Sequence, residues 1–193
     1  MRKLALLFCL AAGSSFAAEE FHRTWVSGGF IANFATGSNY LTDALASTRP
    51  GASAGFGINL TNHIAVETGV DWISHPLGSI GAFGYSLNAG DQLYLVPFGA
   101  RYGFGPSDGK WRLYAGGGGA FARHTFPSGA NILLNQTGFG GYGLAGADVG
   151  LGSHFRVGGQ MRYYHLSQSR NLVQLGLTPT NFITVGPQVT FTF

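Results

Sequence analysis

The stretch Ile183-Thr-Val-Gly-Pro-Gln-Val-Thr-Phe-Thr-Phe193 decides the fold. Read in twos, one face carries Ile183, Val185, Pro187, Val189, Phe191 and Phe193. The other carries Thr184, Gly186, Gln188, Thr190 and Thr192. Such alternation is the period of a β-strand with one apolar and one polar side. At the edge of a water-soluble sheet, an apolar face ending on a bare aromatic would invite aggregation. In a closed transmembrane barrel the same pattern is what lipid outside and a polar lumen inside require.

The opposite end of the chain reads as an export signal. Arg2 and Lys3 precede the apolar run Leu4–Ala12, and small residues with Ser15-Phe16-Ala17 follow. A charged start, a short apolar core and a small-x-small site describe a secretory signal peptide. The run falls short of the roughly 20 apolar residues that a spanning helix needs. Bulky Phe8 before Cys9, deep in the apolar run, argues against a lipoprotein anchor. The expected division is therefore 1–17 as signal peptide and 18–193 as one β-barrel domain. Cleavage after Ala17 removes Cys9, the single cysteine, so disulfide and thiolate chemistry are not expected.

Loss of Arg2 and Lys3 leaves nine basic residues against eight acidic ones, so the basic character of the whole chain says little about partners. There is no basic patch, and nucleic acid is not an expected partner. Charged residues make up 10% of the chain and aromatics 14%, with 32 glycines and no helix-length apolar run after the signal. A membrane chain without such a helix has one other solution, because unsatisfied backbone groups in lipid cost several kcal/mol each. It must close its sheet. A strand with its share of connection takes roughly 20 residues, so the mature length gives about eight strands.

The predicted strands follow in order. Arg23–Phe34 turns Val26, Phe30, Ala32 and Phe34 toward lipid. Ala52–Leu60 turns out Ala52, Ala54, Phe56, Ile58 and Leu60. After the tight turn Thr61-Asn-His63, the next strand puts Ile64, Val66, Thr68, Val70 and Trp72 outward. Asp91–Phe104 shows Tyr94, Val96, Phe98, Ala100, Tyr102 and Phe104 on the outside, with Tyr94 and Tyr102 placed for interfacial girdles. Trp111–Ala122, Gly138–Leu151, Phe155–Leu166 and the terminal stretch complete the set. The long connections 35–49, 74–90, 123–137 and 167–180 alternate with short turns. That is the arrangement of long outer loops and short periplasmic turns.

On these features the chain resembles small eight-stranded bacterial outer-membrane barrels of the OmpA/OmpX type. The resemblance implies an all-β, up-and-down antiparallel barrel in the cell outer membrane, monomeric among outer-membrane lipids and lipopolysaccharide. It also implies insertion by the barrel-assembly machinery, with Phe191 and Phe193 as the assembly signal.

Two groups of residues could carry chemistry. Glu67, Asp71, Arg101, Arg112, Asp148 and Arg162 all fall on the lumen parity. They can pair into a polar plug, since an eight-stranded interior is just wide enough for side chains to fill. The alternative is a narrow ion path. The second group is Tyr163-Tyr-His165-Leu-Ser167, with His165 and Ser167 on the outward parity. It resembles the His-x-Ser of the outer-membrane lipid A 3-O-deacylases. That resemblance makes Ser167 a nucleophile and His165 its general base. The family has Asn after the serine and a Glu that orients the histidine; here Gln168 follows, and Asn181 stands in the comparable place.

The six histidines are scattered, and no metal or other cofactor is expected. Pro187 is awkward in a closed sheet, pointing to a bulge or weak pairing at the seam. The leading expectation is a structural or surface-interaction barrel without enzymatic activity; an esterase and a pore are the alternatives.

Overall fold

A computed structural model describes residues 24–36, 49–74, 80–82, 85–87, 92–106, 110–125, 136–167 and 181–193. Residues 1–17, the proposed signal, lie outside the described residues, as do Tyr40, Phe83 and Phe126, aromatics of the outer loops.

Ten strands follow one another: β1 (Thr24–Thr36), β2 (Arg49–Asn59), β3 (Ile64–Ser74), β4 (Ile80–Ala82), β5 (Tyr85–Leu87), β6 (Gln92–Phe104), β7 (Trp111–Thr125), β8 (Gln136–Gly150), β9 (Phe155–Ser167) and β10 (Asn181–Thr192). Eight of them close into an antiparallel barrel in the order β1-β2-β3-β6-β7-β8-β9-β10, with β10 returning to β1. The remaining two, β4 and β5, form a separate two-stranded sheet. The stretch 74–90, expected to be irregular, therefore holds a small hairpin, with Ile80 opposite Leu87. Its Gly, Ser and Pro content masked two three-residue strands.

Closure fixes the geometry of the wall. A walk along paired residues runs Thr24, Ile58, Val66, Ala100, Gly117, Gly143, Tyr163, Ile183 and back to β1 at Phe34. One circuit thus climbs from residue 24 to residue 34, a shear of ten residues. Eight strands with that stagger tilt about 40° from the barrel axis, and side chains fill the interior.

The lipid-facing parity expected on every strand is observed. Phe30, Phe56, Val66, Phe98, Phe121, Phe139, Met161 and Val189 are all exposed, one from each barrel strand. On the inward parity, by contrast, Trp25, Asp71, Leu95, Tyr164 and Phe182 are buried. Large exposed apolar surface over a whole wall needs an apolar solvent.

Two strands are longer than expected at their outer ends. Arg123 and Thr125 extend β7, and Gln136 and Thr137 extend β8. These positions were read as loop because they break the apolar alternation. Above the hydrocarbon, lipid no longer dictates outward residues, while the ladder continues.

Two inward glycines seat large rings. Gly57 lies opposite Trp25, and Gly146 opposite Tyr114. A Cβ at either position would overlap the facing ring, so each aromatic lies flat on bare backbone.

Prolines interrupt the wall at two places. The β1–β10 ladder runs from Gly29↔Gln188 to Ala32↔Val185, leaving Pro187 and Gly186 unpaired toward β1. The β3–β6 ladder breaks in the same way between Thr68↔Phe98 and Asp71↔Leu95, at Pro97. In both cases the register is unchanged across the gap, so no residue is inserted. The bulge considered for Pro187 is absent, and weak pairing is the correct account. Each proline keeps its full pairing on its other side, opposite Gly159 or Ala120. At Pro97 the Thr68 hydroxyl bridges the break by donating to the proline carbonyl at 3.1 Å.

The seam closes again at its lower end. The amides of Thr24 and Phe193 donate to each other's carbonyls at 3.2 and 3.0 Å. Phe155, Phe191 and Phe193 cluster beside them with centroid spacings of 4.9 and 5.5 Å. At the same end His63, in the turn before β3, stacks on Tyr102 of the adjacent β6 at 5.6 Å. Together these rings form the inner aromatic girdle.

Candidate functional site

The inward charges come together in two tiers. In the upper tier, Asp71 on β3 is fully buried and takes a 2.6 Å contact from Arg162 on β9. The hydroxyls of Tyr164 and Thr184 donate to its other oxygen at 2.7 and 3.4 Å. One carboxylate thereby ties three strands across the lumen. Its desolvation is offset by a close cation and two further donors.

In the lower tier, Glu67 faces Arg101 at 3.8 Å and accepts from Tyr142 at 3.0 Å. Arg101 also stacks over Trp25 at 3.9 Å and over Tyr114 at 4.9 Å. Such contacts with π faces contribute about 0.5–2 kcal/mol each. Asp148 holds two arginines, Arg112 at 2.8 Å and Arg156 at 2.5 Å. All six residues expected in the lumen are there. Arg49 is also buried on the inward side near the outer end, and in the lower tier a further arginine, Arg156, joins them. It shares its parity with Gln160 and Arg162, a signal readable in the sequence but obscured by its place beside the turn.

Above both tiers the lumen changes character. Ile73 and Phe182 are buried, as are Leu93, Leu95, Ala120, Ala122 and Leu166, and these side chains belong to one apolar cluster. They come from β3, β10, β6, β7 and β9, near the outer ends of those strands. Apolar side chains thus pack the outer end of the lumen on β3, β6, β7, β9 and β10, while β1 and β2 bring the buried polar side chains of Asn33 and Arg49 to the same end. The apolar packing was missed in the sequence because its residues occupy the inward parity, where polar side chains were expected.

The outward cluster lies at the outer rim. His165 and Asn181 are directly paired across β9 and β10, and the ring Nδ1 lies 2.7 Å from the Asn181 side-chain oxygen. The Tyr163 hydroxyl donates to the same oxygen at 3.2 Å. Asn181 therefore holds His165, as its position suggests. Ser167 is exposed two residues further along the same face, opposite Phe139 on β8. Same-face neighbours on one strand stand about 7 Å apart, and no hydrogen bond joins the Ser167 hydroxyl to the ring. Among the described residues, no group of three or more His, Cys, Asp or Glu could hold a metal ion.

Comparison with known proteins fits this geometry. The profile of the outer membrane protein beta-barrel domain family matches residues 4–191. The chain belongs to this family. Its fold and its outer-membrane location follow from the closed barrel and the lipid-facing wall together with that match. No curated protein matches the chain by sequence.

Among solved structures, Neisserial surface protein A superposes with a TM-score of 0.65 at 14% identity, over 88% of this chain and 97% of its own. The attachment invasion locus protein Ail of Yersinia pestis, solved with the heparin analogue sucrose octasulfate, gives 0.60 at 13%, over 89% and 98%. The N-terminal β-barrel of Pseudomonas aeruginosa OprF gives 0.56 at 14%, over 89% and 98%. At these identities the likeness concerns the fold.

The buried tier makes a testable demand. Asp71→Ala strands Arg162 in a buried site, and the barrel should lose about 3–5 kcal/mol against urea unfolding in lipid vesicles. Replacing both partners, Asp71→Leu with Arg162→Met, should restore much of that loss. Equal stability of wild type and the single variant would show that the pair contributes nothing.

Proposed function

We propose that this chain is a plugged, monomeric outer-membrane barrel that acts through its outer surface and loops, without enzymatic activity. The observation that carries this reading is a lumen filled by buried side chains from end to end. Ile73, Leu93, Leu95, Leu166 and Phe182 stand with Asn33 and Arg49 at the outer end, and the ion pairs of Glu67, Asp71 and Asp148 lie beneath them. A conducting pore needs a continuous wet path, and here buried side chains fill the path where it would open outward. The acidic side chains beneath are engaged by arginines, which suits a plug better than a relay.

With the interior occupied, the surfaces left for function are the rim and the connections 37–48, 75–91, 126–135 and 168–180. The architecture suits that role: Ail, named for attachment and solved with a heparin analogue, uses the same fold. In this reading the barrel sits among outer-membrane lipids and lipopolysaccharide. A signal peptide of residues 1–17 delivers it, and the barrel-assembly machinery inserts it by reading Phe191 and Phe193. Purified protein in planar bilayers should show no discrete current steps. Steps that shift with charge swaps at Arg101 or Asp148 would overturn the plugged barrel in favour of a pore.

One observation favours a second reading, an esterase of the lipid A 3-O-deacylase type. His165 is oriented through Nδ1 by Asn181 at 2.7 Å, leaving Nε2 for a substrate-side proton transfer. Ser167 would be the nucleophile, coming within reach of the ring when substrate binds. Asn181 lacks the charge to stabilise an imidazolium, which weakens this alternative. Mass spectrometry of lipopolysaccharide incubated with the barrel should show intact 3-O-linked acyl chains. Acyl release that Ser167→Ala abolishes would establish the esterase instead.

A further inference from the structure

The outward face of the described strands carries a single charged side chain, Arg123. The three described acids, Glu67, Asp71 and Asp148, all point into the lumen, as do Arg49, Arg101, Arg112, Arg156 and Arg162. Lys110 lies at the inner turn. Arg123 is exposed, shares the parity of exposed Phe121, and has no hydrogen-bond or ion-pair partner among the described residues. An arginine held against lipid without a counter-charge would be strongly unfavourable at mid-membrane. Its height resolves this.

Arg123 lies twelve residues along β7 from Trp111, an exposed aromatic at the inner end. At about 2.5 Å of height per residue in a strand tilted about 40°, it stands about 30 Å above that girdle. The apolar band of an outer-membrane barrel is about 25 Å tall. Arg123 therefore emerges just beyond the hydrocarbon, at the level of the outer-leaflet headgroups.

Its neighbours at that level are polar. Arg123 lies between Tyr94 on β6 and Thr137 on β8 in the paired register. The Tyr94 hydroxyl bonds to the Gln92 side-chain oxygen at 2.6 Å, which leaves the Gln92 amide nitrogen as a donor. Further round the same rim stand Ser167, His165 and Asn181. On β1–β3 the outward places hold Phe34, Pro50, Ala52 and Trp72, and polar Ser74 ends β3 directly opposite Gln92. The outer edge is thus polar from Ser74 on β3 through β6–β10, and its cation lies within that polar arc.

We infer that the β6–β8 rim is a binding site for the phosphate of an outer-leaflet glycolipid, with Arg123 as the charged ligand and Gln92 and Thr137 as flanking donors. A guanidinium at this height meets phosphate as the abundant anion, and its fork of donors matches phosphate oxygens. Phe121 and Phe139, one turn of the pleat below on β7 and β8, give the acyl chains of the same lipid an apolar wall. The inference requires the barrel's place in the outer membrane and is independent of whether its lumen conducts or its rim catalyses.

The test is native mass spectrometry of the detergent-solubilised protein titrated with bis-phosphorylated lipid A and with the same lipid A stripped of its phosphates. Wild type should hold the phosphorylated form about tenfold more tightly. Arg123→Gln should lose that preference, Arg123→Lys should keep part of it, and Lys110→Gln, at the other end of the barrel, should keep all of it. Equal binding of the two lipids by wild type would overturn the site without recourse to any variant. An unaltered preference in Arg123→Gln would overturn the role of Arg123. Displacement of the lipid by equimolar inorganic phosphate would show a site for free anions and not for a membrane lipid.

Discussion

Hydrocarbon offers a backbone amide no hydrogen-bond partner, and the whole of this structure answers to that fact. Eight strands satisfy one another only if the first meets the last, and the meeting of β1 with β10 is what makes the sheet edgeless. The ten-residue shear sets the tilt and bore, and the bore sets what fits inside. Aromatic rings laid on Gly57 and Gly146 show how little room remains. The prolines mark the limit of tolerance. Each removes one donor, and the two breaks lie on different sides of the barrel, in the β1–β10 and β3–β6 ladders. Intact register on either side of each break keeps the wall continuous.

The interior follows from the exterior. Once the outward positions are given to lipid, the inward ones must fill a narrow tube without leaving a bare charge. The chain does so in tiers: arginines and carboxylates below, and above them aliphatic side chains packed beside Asn33 and Arg49. Asp71 and Arg162 join strands far apart in sequence, and Asp148 holds two arginines at the inner end. With the lumen filled by side chains along its length, the proposed surface role falls to the outer rim and loops.

What could be read in the sequence was what lipid dictates. Val66, Thr68, Val70 and Trp72 alternate with Glu67, Gly69 and Asp71 because each parity faces a different medium, so strand faces and lumen charges were legible. The outer strand ends were not. At Arg123, Thr125 and Thr137 the outward medium is already polar, and the alternation fades although the ladder persists. Leu93, Leu95 and Phe182 were overlooked for the converse reason: apolar on the lumen side, they carry no contrast. The β4–β5 hairpin is too short for periodicity to register. Asn181 was placed correctly beside His165 because cross-strand pairing follows from parity and turn position, whereas the separation of Ser167 from the ring depends on geometry that no spacing encodes.

Closure of the sheet at its proline-weakened seam is the claim on which all this rests. Nuclear magnetic resonance of the protein in lipid nanodiscs tests it directly, through amide contacts between β1 and β10. The account predicts contacts joining Val26 to Phe191 below the break and Phe34 to Ile183 above it, with amides there protected from exchange. Absence of these contacts, with β1 and β10 exchanging as free edges, would contradict it.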